Sequence, residues 1–232
     1  DAMICIGGDG TFRGATDLTF HGIPSIGLPG TIDNDITATD YTIGLDTSIN
    51  TTVAMIDCLR DTCESHARCN VVEVMGRDCG QIALMTAIAS GAIAVAIPEV
   101  PFDEEATIER IKKARAEGKR GMLVVVSEGV FHEDENGVKT PYGEYFKKKC
   151  EAETGVETKF ARLAHIVRGG SPTLRDRLHA TQMGADAVSY LLDGKSNKKE
   201  REALKDQSRY VLDLIRCCAA RVLLEDGTVI ER

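Results

Sequence analysis

Four short segments of the sequence combine glycine with polar side chains, the residue types that bind phosphate groups and move protons. The first, residues 7–11, reads GGDGT. Its glycines let the main chain approach a phosphate, and Asp9 suits a magnesium ion held beside phosphates, because Mg²⁺ takes one or two carboxylates together with phosphate oxygens. No Gly-Lys-Ser/Thr follows, and the spacing of Gly8, Gly10 and Gly14 differs from a dinucleotide fingerprint. The residues alone allow a phosphate loop or a ligand-free turn.

The second segment, residues 27–35, reads GLPGTIDND and contains two closely spaced carboxylates. Asp33 and Asp35 lie two positions apart, so in an extended loop both side chains point the same way. A carboxylate within hydrogen-bond reach of a substrate hydroxyl accepts its proton as phosphoryl transfer proceeds. Aspartate and asparagine are also common in plain turns, which is the structural alternative.

The third segment, residues 75–80, reads MGRDCG. Arg77 can stabilise charge on a transferring phosphoryl group, and Gly76 permits close approach of the main chain. A salt bridge at a helix start is the structural alternative for this arginine. Glu128, which follows the apolar run at residues 122–127, is a candidate acceptor for a sugar hydroxyl, or a plain surface carboxylate.

The fourth segment, residues 165–172, reads HIVRGGSP. Ser171 is predicted to cap a helix that has Pro172 at its first position. Arg168 beside that helix N-terminus would form an anion site suited to a sugar phosphate. His165 by itself is typical of a structural histidine.

Short β-branched runs alternate with longer helical patterns along the chain. The runs are residues 2–6, 23–28, 71–75, 93–97, 122–127 and 160–166. Helices are predicted after the first loop to about residue 21, and at 46–64, 79–90, 104–117, 142–154 and 172–193. This alternation predicts an α/β fold with doubly wound, mostly parallel sheets and helices on both faces. Ligands bind beyond the carboxyl ends of such strands, where the four segments lie.

Composition excludes several classes of protein. The 232 residues are 43% hydrophobic and 28% charged, which is typical of a folded protein, and the formal net charge of −8 argues against broad binding to nucleic acid or anionic lipid. The longest weakly polar stretch, residues 82–98, is interrupted by polar residues, so no membrane span is predicted. The eight cysteines include no C-x-x-C pair, so we expect reduced thiols in a cytoplasmic protein.

Taken together and in this order, the motifs GGDGT, GLPGTIDND, VEVMGR and HIVRGGSP resemble those of the ATP-dependent 6-phosphofructokinases over residues 1–194. NAD kinases and lipid kinases have a loop similar to GGDGT but would not be expected to carry the other three. The resemblance implies transfer of the ATP γ-phosphate to the C1 hydroxyl of fructose 6-phosphate, giving fructose 1,6-bisphosphate in glycolysis, with Mg²⁺ as cofactor.

The resemblance also implies roles for individual residues around the transferred phosphate. Asp33 corresponds to the base that takes the proton from the C1 hydroxyl, with Thr31 and Asp35 beside it. Asp9 corresponds to the magnesium-associated carboxylate. The ATP phosphate loop would comprise Gly8, Asp9, Gly10 and Thr11, and the sugar and transferring phosphate would contact Met75, Gly76 and Arg77.

The sugar-phosphate end of the substrate would be bound by further side chains. Glu128, His165 and Arg168 correspond to further sugar-phosphate ligands. Arg68 corresponds to an arginine that reaches the 6-phosphate of a neighbouring subunit, and Lys159 stands where the family usually has a second such arginine. The resemblance therefore implies a homo-oligomer, usually a tetramer. Arg60 matches a position that bacterial relatives use to bind an effector nucleotide.

Two glycines bear on the phosphoryl donor. Pyrophosphate-dependent relatives usually have Asp where this chain has Gly10 and Lys where it has Gly30. A carboxylate at position 10 would repel the ATP α-phosphate, so two glycines favour ATP. A pyrophosphate-dependent enzyme and a non-catalytic sugar-phosphate-binding protein are the alternatives.

The resemblance divides the chain into parts. Residues 1–44 and 168–194 are expected to form a partial nucleotide-binding domain, residues 45–167 the sugar-phosphate domain, and residues 195–232 a divergent helical tail. The sequence opens within a predicted strand, so we expect a fragment that lacks the family's N-terminal region and is weakly active at most.

Overall fold

The computed structural model describes residues 1–36 and 39–192, together with the backbone of residues 222–223 and 229–230. The helices are α1 (Asp9–Phe20), α2 (Leu45–Ser65), α3 (Gln81–Ser90), α4 (Glu104–Ala116), α5 (Tyr142–Thr154) and α6 (Leu174–Leu192). The strands are β1 (Met3–Gly7), β2 (Ser25–Pro29), β3 (Cys69–Val74), β4 (Ala94–Ala96), β5 (Met122–Ser127), β6 (Phe131–Glu133), β7 (Lys139–Pro141), β8 (Thr158–Arg162), β9 (Val222–Leu223) and β10 (Val229–Ile230). The chain divides into two compact units, one of Asp1–Asp46 with Pro172–Arg232 and one of Thr47–Ser171.

The first unit is built on a parallel pair of strands. β1 and β2 pair from Met3 opposite Ser25 to Gly7 opposite Pro29, and α1 connects them. Apolar side chains of α1, β2 and α6 form the core of this unit; they are Phe12, Leu28, Met183 and Ala187. Because β1 and β2 run in the same direction, the loops that follow them leave from the same edge.

The second unit contains a four-stranded parallel sheet in the order β4-β5-β3-β8. Every residue of β3 and β5 is buried, so both faces of the central strands are covered, as in an α/β protein. On one face the β-branched Val71, Val124 and Val126 pack against Ile111 of α4 and Phe146 of α5. These observations confirm the predicted fold class. The antiparallel pair β6–β7 was not predicted by periodicity.

One predicted strand ends early. The run at residues 160–166 is extended only to Arg162, and Ala164–Arg168 forms a 3₁₀ helix. The chain changes direction at Ala164, which has a positive φ of 46°. A left-handed residue cannot continue a strand, so the sequence expectation for residues 163–166 is wrong.

The start of α6 also differs from the prediction. The helix begins at Leu174, so Ser171 is not its N-cap and Pro172 is not its first residue. Thr173 serves instead: its Oγ1 accepts a hydrogen bond from the Asp176 amide at 3.3 Å, the usual contact of an N-cap side chain.

Most of the predicted helical tail, residues 195–232, lies outside the described residues. The described part of it, β9 and β10, is an antiparallel pair with Val229 opposite Leu223. The expectation of a helical tail is therefore wrong at Val222–Leu223 and Val229–Ile230, where valine and isoleucine favour extended backbone.

Candidate functional site

In the first unit, α1 begins inside the GGDGT segment. Gly8 is the N-cap and Asp9 is the first helical residue. The amides of residues 9–11 therefore lie in the first helical turn, where α-helical geometry provides no acceptor, and the helix dipole favours an anion there. Thr11 Oγ1 lies so close to Gly7 that a Cβ on Gly7 would approach it to 2.2 Å. The segment thus needs glycine at position 7 for steric reasons.

The loop that follows β2 lies directly beside this helix start. The Gly30 amide donates to the Gly7 carbonyl at 2.9 Å, and a Cβ on Gly8 would contact Thr31 Cβ at 3.4 Å. The first unit therefore brings together the predicted phosphate loop and the segment that contains the predicted base.

A hydroxyl and a carboxylate interact within that second loop. Thr31 Oγ1 donates to Asp33 Oδ2 at 3.4 Å and accepts from the Asp33 amide at 3.3 Å. Asn34 has a positive φ of 52°, so the chain turns immediately after Asp33. Both Asp33 and Asp35 are partly buried. The arrangement holds Oδ2 of the Asp33 carboxylate against a hydroxyl, while Oδ1 is buried.

Asp9, the predicted metal-associated residue, forms an ion pair with Arg13 one helical turn away at 2.8 Å. The Arg13 side chain is exposed and the Asp9 side chain is partly exposed. Within residues 1–36 and 39–192 there is no cluster of three or more His, Cys, Asp or Glu side chains that could hold a metal. A magnesium ion would fit here only together with phosphate oxygens, since Asp9 offers a single carboxylate.

In the second unit, β3 leads into a loop with unusual backbone geometry. Gly76 has a φ of 144° and Arg77 a φ of 55°, and the Cys79 amide donates to the Gly76 carbonyl at 2.9 Å. A positive φ is uncommon for an arginine and is retained only where surrounding contacts hold it. The Arg77 side chain lies at an exposed position.

Glu128 supplies contacts that hold this loop. Its Oε1 accepts from the Gly76 amide at 3.3 Å and from the Arg77 amide at 3.0 Å, and its own amide donates to Val74 at 2.9 Å. The carboxyl ends of the neighbouring strands β3 and β5 thus bring Met75, Gly76, Arg77 and Glu128 together. In this structure Glu128 orients the arginine loop, a role in addition to the sugar contact that the resemblance implies.

A second carboxylate, not identified from the sequence, binds the far end of the same loop. Glu99 Oε1 accepts from the Gly80 amide at 2.7 Å, immediately before α3. Gly80 has no room for a side chain, because its Cβ would lie 2.4 Å from Ile97 Cβ. No local pattern in the sequence predicts this contact, because it depends on which loop of the fold meets Gly80.

The two cations expected at the 6-phosphate share one partner. Glu157 accepts from Arg68 Nε at 2.7 Å and from Lys159 Nζ at 2.9 Å. Both hydrogen bonds lower the pKa of Glu157, to about 2, and the one from Arg68 has the larger effect. The structure therefore brings Arg68 and Lys159 together through a carboxylate that the sequence did not single out.

His165 and Arg168 both belong to the 3₁₀ helix after β8, and both are exposed. The buried Val167 between them anchors this short helix, and the Leu163 amide donates to the Glu73 carbonyl of β3 at 3.1 Å. Arg168 ends the 3₁₀ helix, and α6 begins later in the chain, at Leu174.

Glu73 is a buried acid in the sheet that sequence analysis did not identify. It is only 5% exposed and pairs with Arg162 Nε on the neighbouring strand β8 at 2.5 Å. The hydrogen bond that Arg162 donates to Glu73 raises the pKa of Arg162 above its ordinary value. A carboxylate in an apolar strand is the signal that would have indicated a buried partner.

Arg60, on α2, donates to the carbonyl of Ser90 at the end of α3. It lines a small recess of the second unit together with Cys63, Gly91 and Lys119. Arg60 and Lys119 give this recess two positive charges. They are relevant to the predicted effector position because the phosphates of a nucleotide are anionic.

Comparison with known proteins gives a consistent result. The family model described as Phosphofructokinase matches residues 1–191. The chain is 49% identical over 198 residues to ATP-dependent 6-phosphofructokinase 1 of Clostridium perfringens and 46% identical over 198 residues to the ATP-dependent 6-phosphofructokinase of Bacillus subtilis. Each alignment covers 85% of this chain and 59% of the relative, so the chain spans about three fifths of their length.

A solved structure shows the same similarity in three dimensions. The phosphofructokinase of Saccharomyces cerevisiae superimposes with a TM-score of 0.73 and 35% identity, covering 83% of this chain and 29% of that chain. Among the described residues, no helix has the length and apolar character that crossing a bilayer requires.

Proposed function

Since the chain belongs to the phosphofructokinase family, we propose that it transfers the γ-phosphate of ATP to the C1 hydroxyl of fructose 6-phosphate, giving fructose 1,6-bisphosphate. The observation that carries this proposal is the packing of Gly8 against Thr31. It places a helix start suited to phosphate beside a loop whose carboxylate can accept a proton.

Asp33 is the proton acceptor in this proposal. Its carboxylate takes the proton of the C1 hydroxyl as the oxygen of that hydroxyl forms its bond to the γ-phosphorus. The bond from that phosphorus to the ADP leaving oxygen breaks in the same step. Thr31 orients the carboxylate through the contact at 3.4 Å, and Asp35 lies two residues further along the same loop.

Charge on the transferred group is stabilised by fixed donors. Main-chain amides at the start of α1 supply positive potential in the first unit. For the second unit, we propose that the guanidinium of Arg77 stabilises charge on the transferred group, with Glu128 maintaining the loop geometry of Arg77. Positioning and charge stabilisation account for most of the catalysis of phosphoryl transfer. When bound, Mg²⁺ would neutralise phosphate charge, and Asp9 is the residue here that would hold it.

Glycine at positions 10 and 30 favours ATP over pyrophosphate as the donor. Position 10 is open, with no atom within 4 Å of a Cβ built there, and glycine leaves out the carboxylate that would repel the ATP α-phosphate. At Gly30, in contrast, a Cβ would lie 2.9 Å from Ile6 Cγ2. The lysine that pyrophosphate-dependent relatives usually have there would require Ile6 to move.

We assign the sugar phosphate to the second unit and the nucleotide to the first. Glu128, His165 and Arg168 are the proposed ligands of the sugar phosphate from one subunit. Arg68 and Lys159 would serve the 6-phosphate of a neighbouring subunit, which makes the working protein a homo-oligomer.

The donor and the acceptor can be tested together. The protein is incubated with fructose 6-phosphate and either ATP or pyrophosphate, and fructose 1,6-bisphosphate is measured by chromatography. We expect product with ATP and none above background with pyrophosphate. Product with pyrophosphate alone would support the pyrophosphate-dependent alternative.

Calorimetry tests the second alternative, a sugar-phosphate-binding protein without catalysis. The proposal predicts that fructose 6-phosphate binds and that fructose, which lacks the phosphate, does not. Binding of fructose 6-phosphate with no turnover of either donor would overturn the catalytic proposal and favour the binding function.

A further inference from the structure

Arg68, Glu157 and Lys159 form a compact triad of charges at the edge of the second unit. Each oxygen of Glu157 engages a different cation, Oε2 contacting Arg68 Nε at 2.7 Å and Oε1 contacting Lys159 Nζ at 2.9 Å. Among the described residues, the salt bridges of both cations go to this one carboxylate. The triad carries a net charge of +1, where the two cations alone would carry +2.

The backbone holds the triad in register. Cys69 pairs with Thr158 at the first position of the β3–β8 ladder, and the Cys69 amide donates to the Glu157 carbonyl at 3.0 Å. Arg68 precedes that ladder, and its own carbonyl accepts from the Met122 amide of β5 at 3.1 Å. Glu157 is therefore fixed opposite Arg68 by main-chain bonds that do not depend on its side chain.

All three side chains are accessible to a ligand from solvent. Their exposed fractions are 24% for Arg68, 43% for Glu157 and 55% for Lys159. The pKa of Glu157, lowered to about 2, keeps the carboxylate ionised at neutral pH. A phosphate monoester that approaches the two cations therefore always meets an adjacent negative charge.

We propose that Glu157 sets the affinity of the Arg68–Lys159 pair for phosphate by competing with the phosphate for both cations. The inference rests on the proposed function, which assigns the pair to the 6-phosphate of the sugar. Glu157 does not contact the reacting atoms. It weakens binding of the substrate's distal phosphate, so that substrate is released more readily.

This position suits a competitor better than a structural carboxylate. Ion pairs between exposed side chains contribute little to stability, and the strand register here comes from the main chain. Lysine at position 159 strengthens the effect, because a point charge lacks the bidentate geometry with which an arginine would hold a phosphate against a competitor.

The test compares the unaltered protein with Glu157→Gln, which preserves size and removes the charge. Binding of inorganic phosphate and of fructose 6-phosphate is measured by calorimetry at about 0.15 M ionic strength. Coulomb's law over about 5 Å in a water-like dielectric, reduced by salt, predicts that Kd falls about threefold to tenfold. The gain should shrink as salt is raised.

Glu109→Gln is the matched control. Glu109 is an exposed carboxylate on α4 that pairs with Lys112 at 2.8 Å, so its substitution removes the same charge from a comparable ion pair outside the triad. We expect its Kd to stay within about twofold of the unaltered protein. An equal gain in both variants would mean that net charge alone is responsible and would overturn the inference.

Failure of this inference can be distinguished from failure of the proposed function. Arg68→Ala and Lys159→Ala should each weaken binding of fructose 6-phosphate. If neither does, the assignment of the pair to the phosphate is wrong. If both weaken binding while Glu157→Gln leaves Kd unchanged or raises it, the pair binds phosphate and Glu157 serves only to orient it, which contradicts competition.

Discussion

Gly129, the residue after Glu128, contacts the arginine loop so closely that adding one methyl group tests the arrangement of the second unit. A Cβ at this position would lie 2.2 Å from the Arg77 carbonyl oxygen and 2.9 Å from Pro98 Cγ. Ordinary contacts of a Cβ begin at 3.4 Å, so Gly129→Ala displaces the Arg77 carbonyl by about 1 Å. The obstacle is main chain, which cannot rotate away as a flexible side chain can.

Two effects of Gly129→Ala follow from this displacement. Overpacking of this kind lowers the free energy of unfolding by about 1–3 kcal/mol. If Arg77 stabilises the transferred phosphoryl group, a shift of about 1 Å also lowers the rate of transfer by about 100-fold. The first effect is measured by urea unfolding followed by circular dichroism, and the second by transfer of label from [γ-³²P]ATP.

Gly184→Ala is the control for this experiment. No atom lies within 4 Å of a Cβ built on Gly184, which is in α6, so alanine should raise helix stability by up to about 1 kcal/mol and leave transfer unchanged. Gly129→Ala with unaltered stability and an unaltered rate would refute the described packing of Gly129 against Arg77.

Three further predictions concern single contacts. Tyr41→Phe removes the hydroxyl that donates to the buried Asp176 at 2.5 Å, and should lower the free energy of unfolding by about 1–3 kcal/mol in urea. Burial alone would raise the pKa of Glu104, but hydrogen bonds from Lys149 and two tyrosines outweigh it and lower the pKa. The hydrogen bonds to ionised Glu104 therefore stabilise the fold above pH 4.5, the ordinary pKa of a glutamate. This stabilisation is lost as the pH falls through the lower pKa that Glu104 has in the folded protein. Glu104→Gln should accordingly lose less stability on acidification below pH about 4.5 than the unaltered protein, and an equal loss would contradict the assignment. Gly30→Lys should lower thermal stability because the neighbouring isoleucine must move, and an unchanged melting temperature would show that the space exists.

The order and type of most elements in the described part of the chain follow from periodicity. The apolar run at residues 122–127 coincides with β5, and the pattern at 142–154 coincides with α5. β5 is buried over its whole length and α5 is amphipathic, so in both segments the local sequence pattern agrees with the tertiary environment. The fold class follows from this alternation of strands and helices.

Contacts between distant parts of the chain could not be predicted in this way. Glu157 meets Arg68 because of the register of the β3–β8 ladder, and no local pattern specifies that register. Glu99 reaches Gly80 for a similar reason, because the loop after β4 passes the start of α3. The change of direction at Ala164 was missed because alanine gives no sequence signal for a positive φ.

The candidate site was predictable only as a set of segments. The sequence identified the loops that contain Gly8, Thr31, Asp33 and Arg77, because glycine and acidic residues after strands are recognisable. It did not indicate that Glu128 binds the amides of the arginine loop, since that depends on β3 and β5 being neighbours in the sheet.

The central claim, that Asp33 accepts a proton during phosphoryl transfer to fructose 6-phosphate, is tested most directly by a single-turnover measurement. The unaltered protein and Asp33→Asn are mixed with [γ-³²P]ATP and fructose 6-phosphate, and labelled fructose 1,6-bisphosphate is followed over time. We predict slow but measurable transfer by the unaltered protein. In Asp33→Asn, transfer should fall by about 100-fold or more, with little change in the Kd for fructose 6-phosphate. Transfer by Asp33→Asn at the unaltered rate, or no transfer by the unaltered protein, would contradict it.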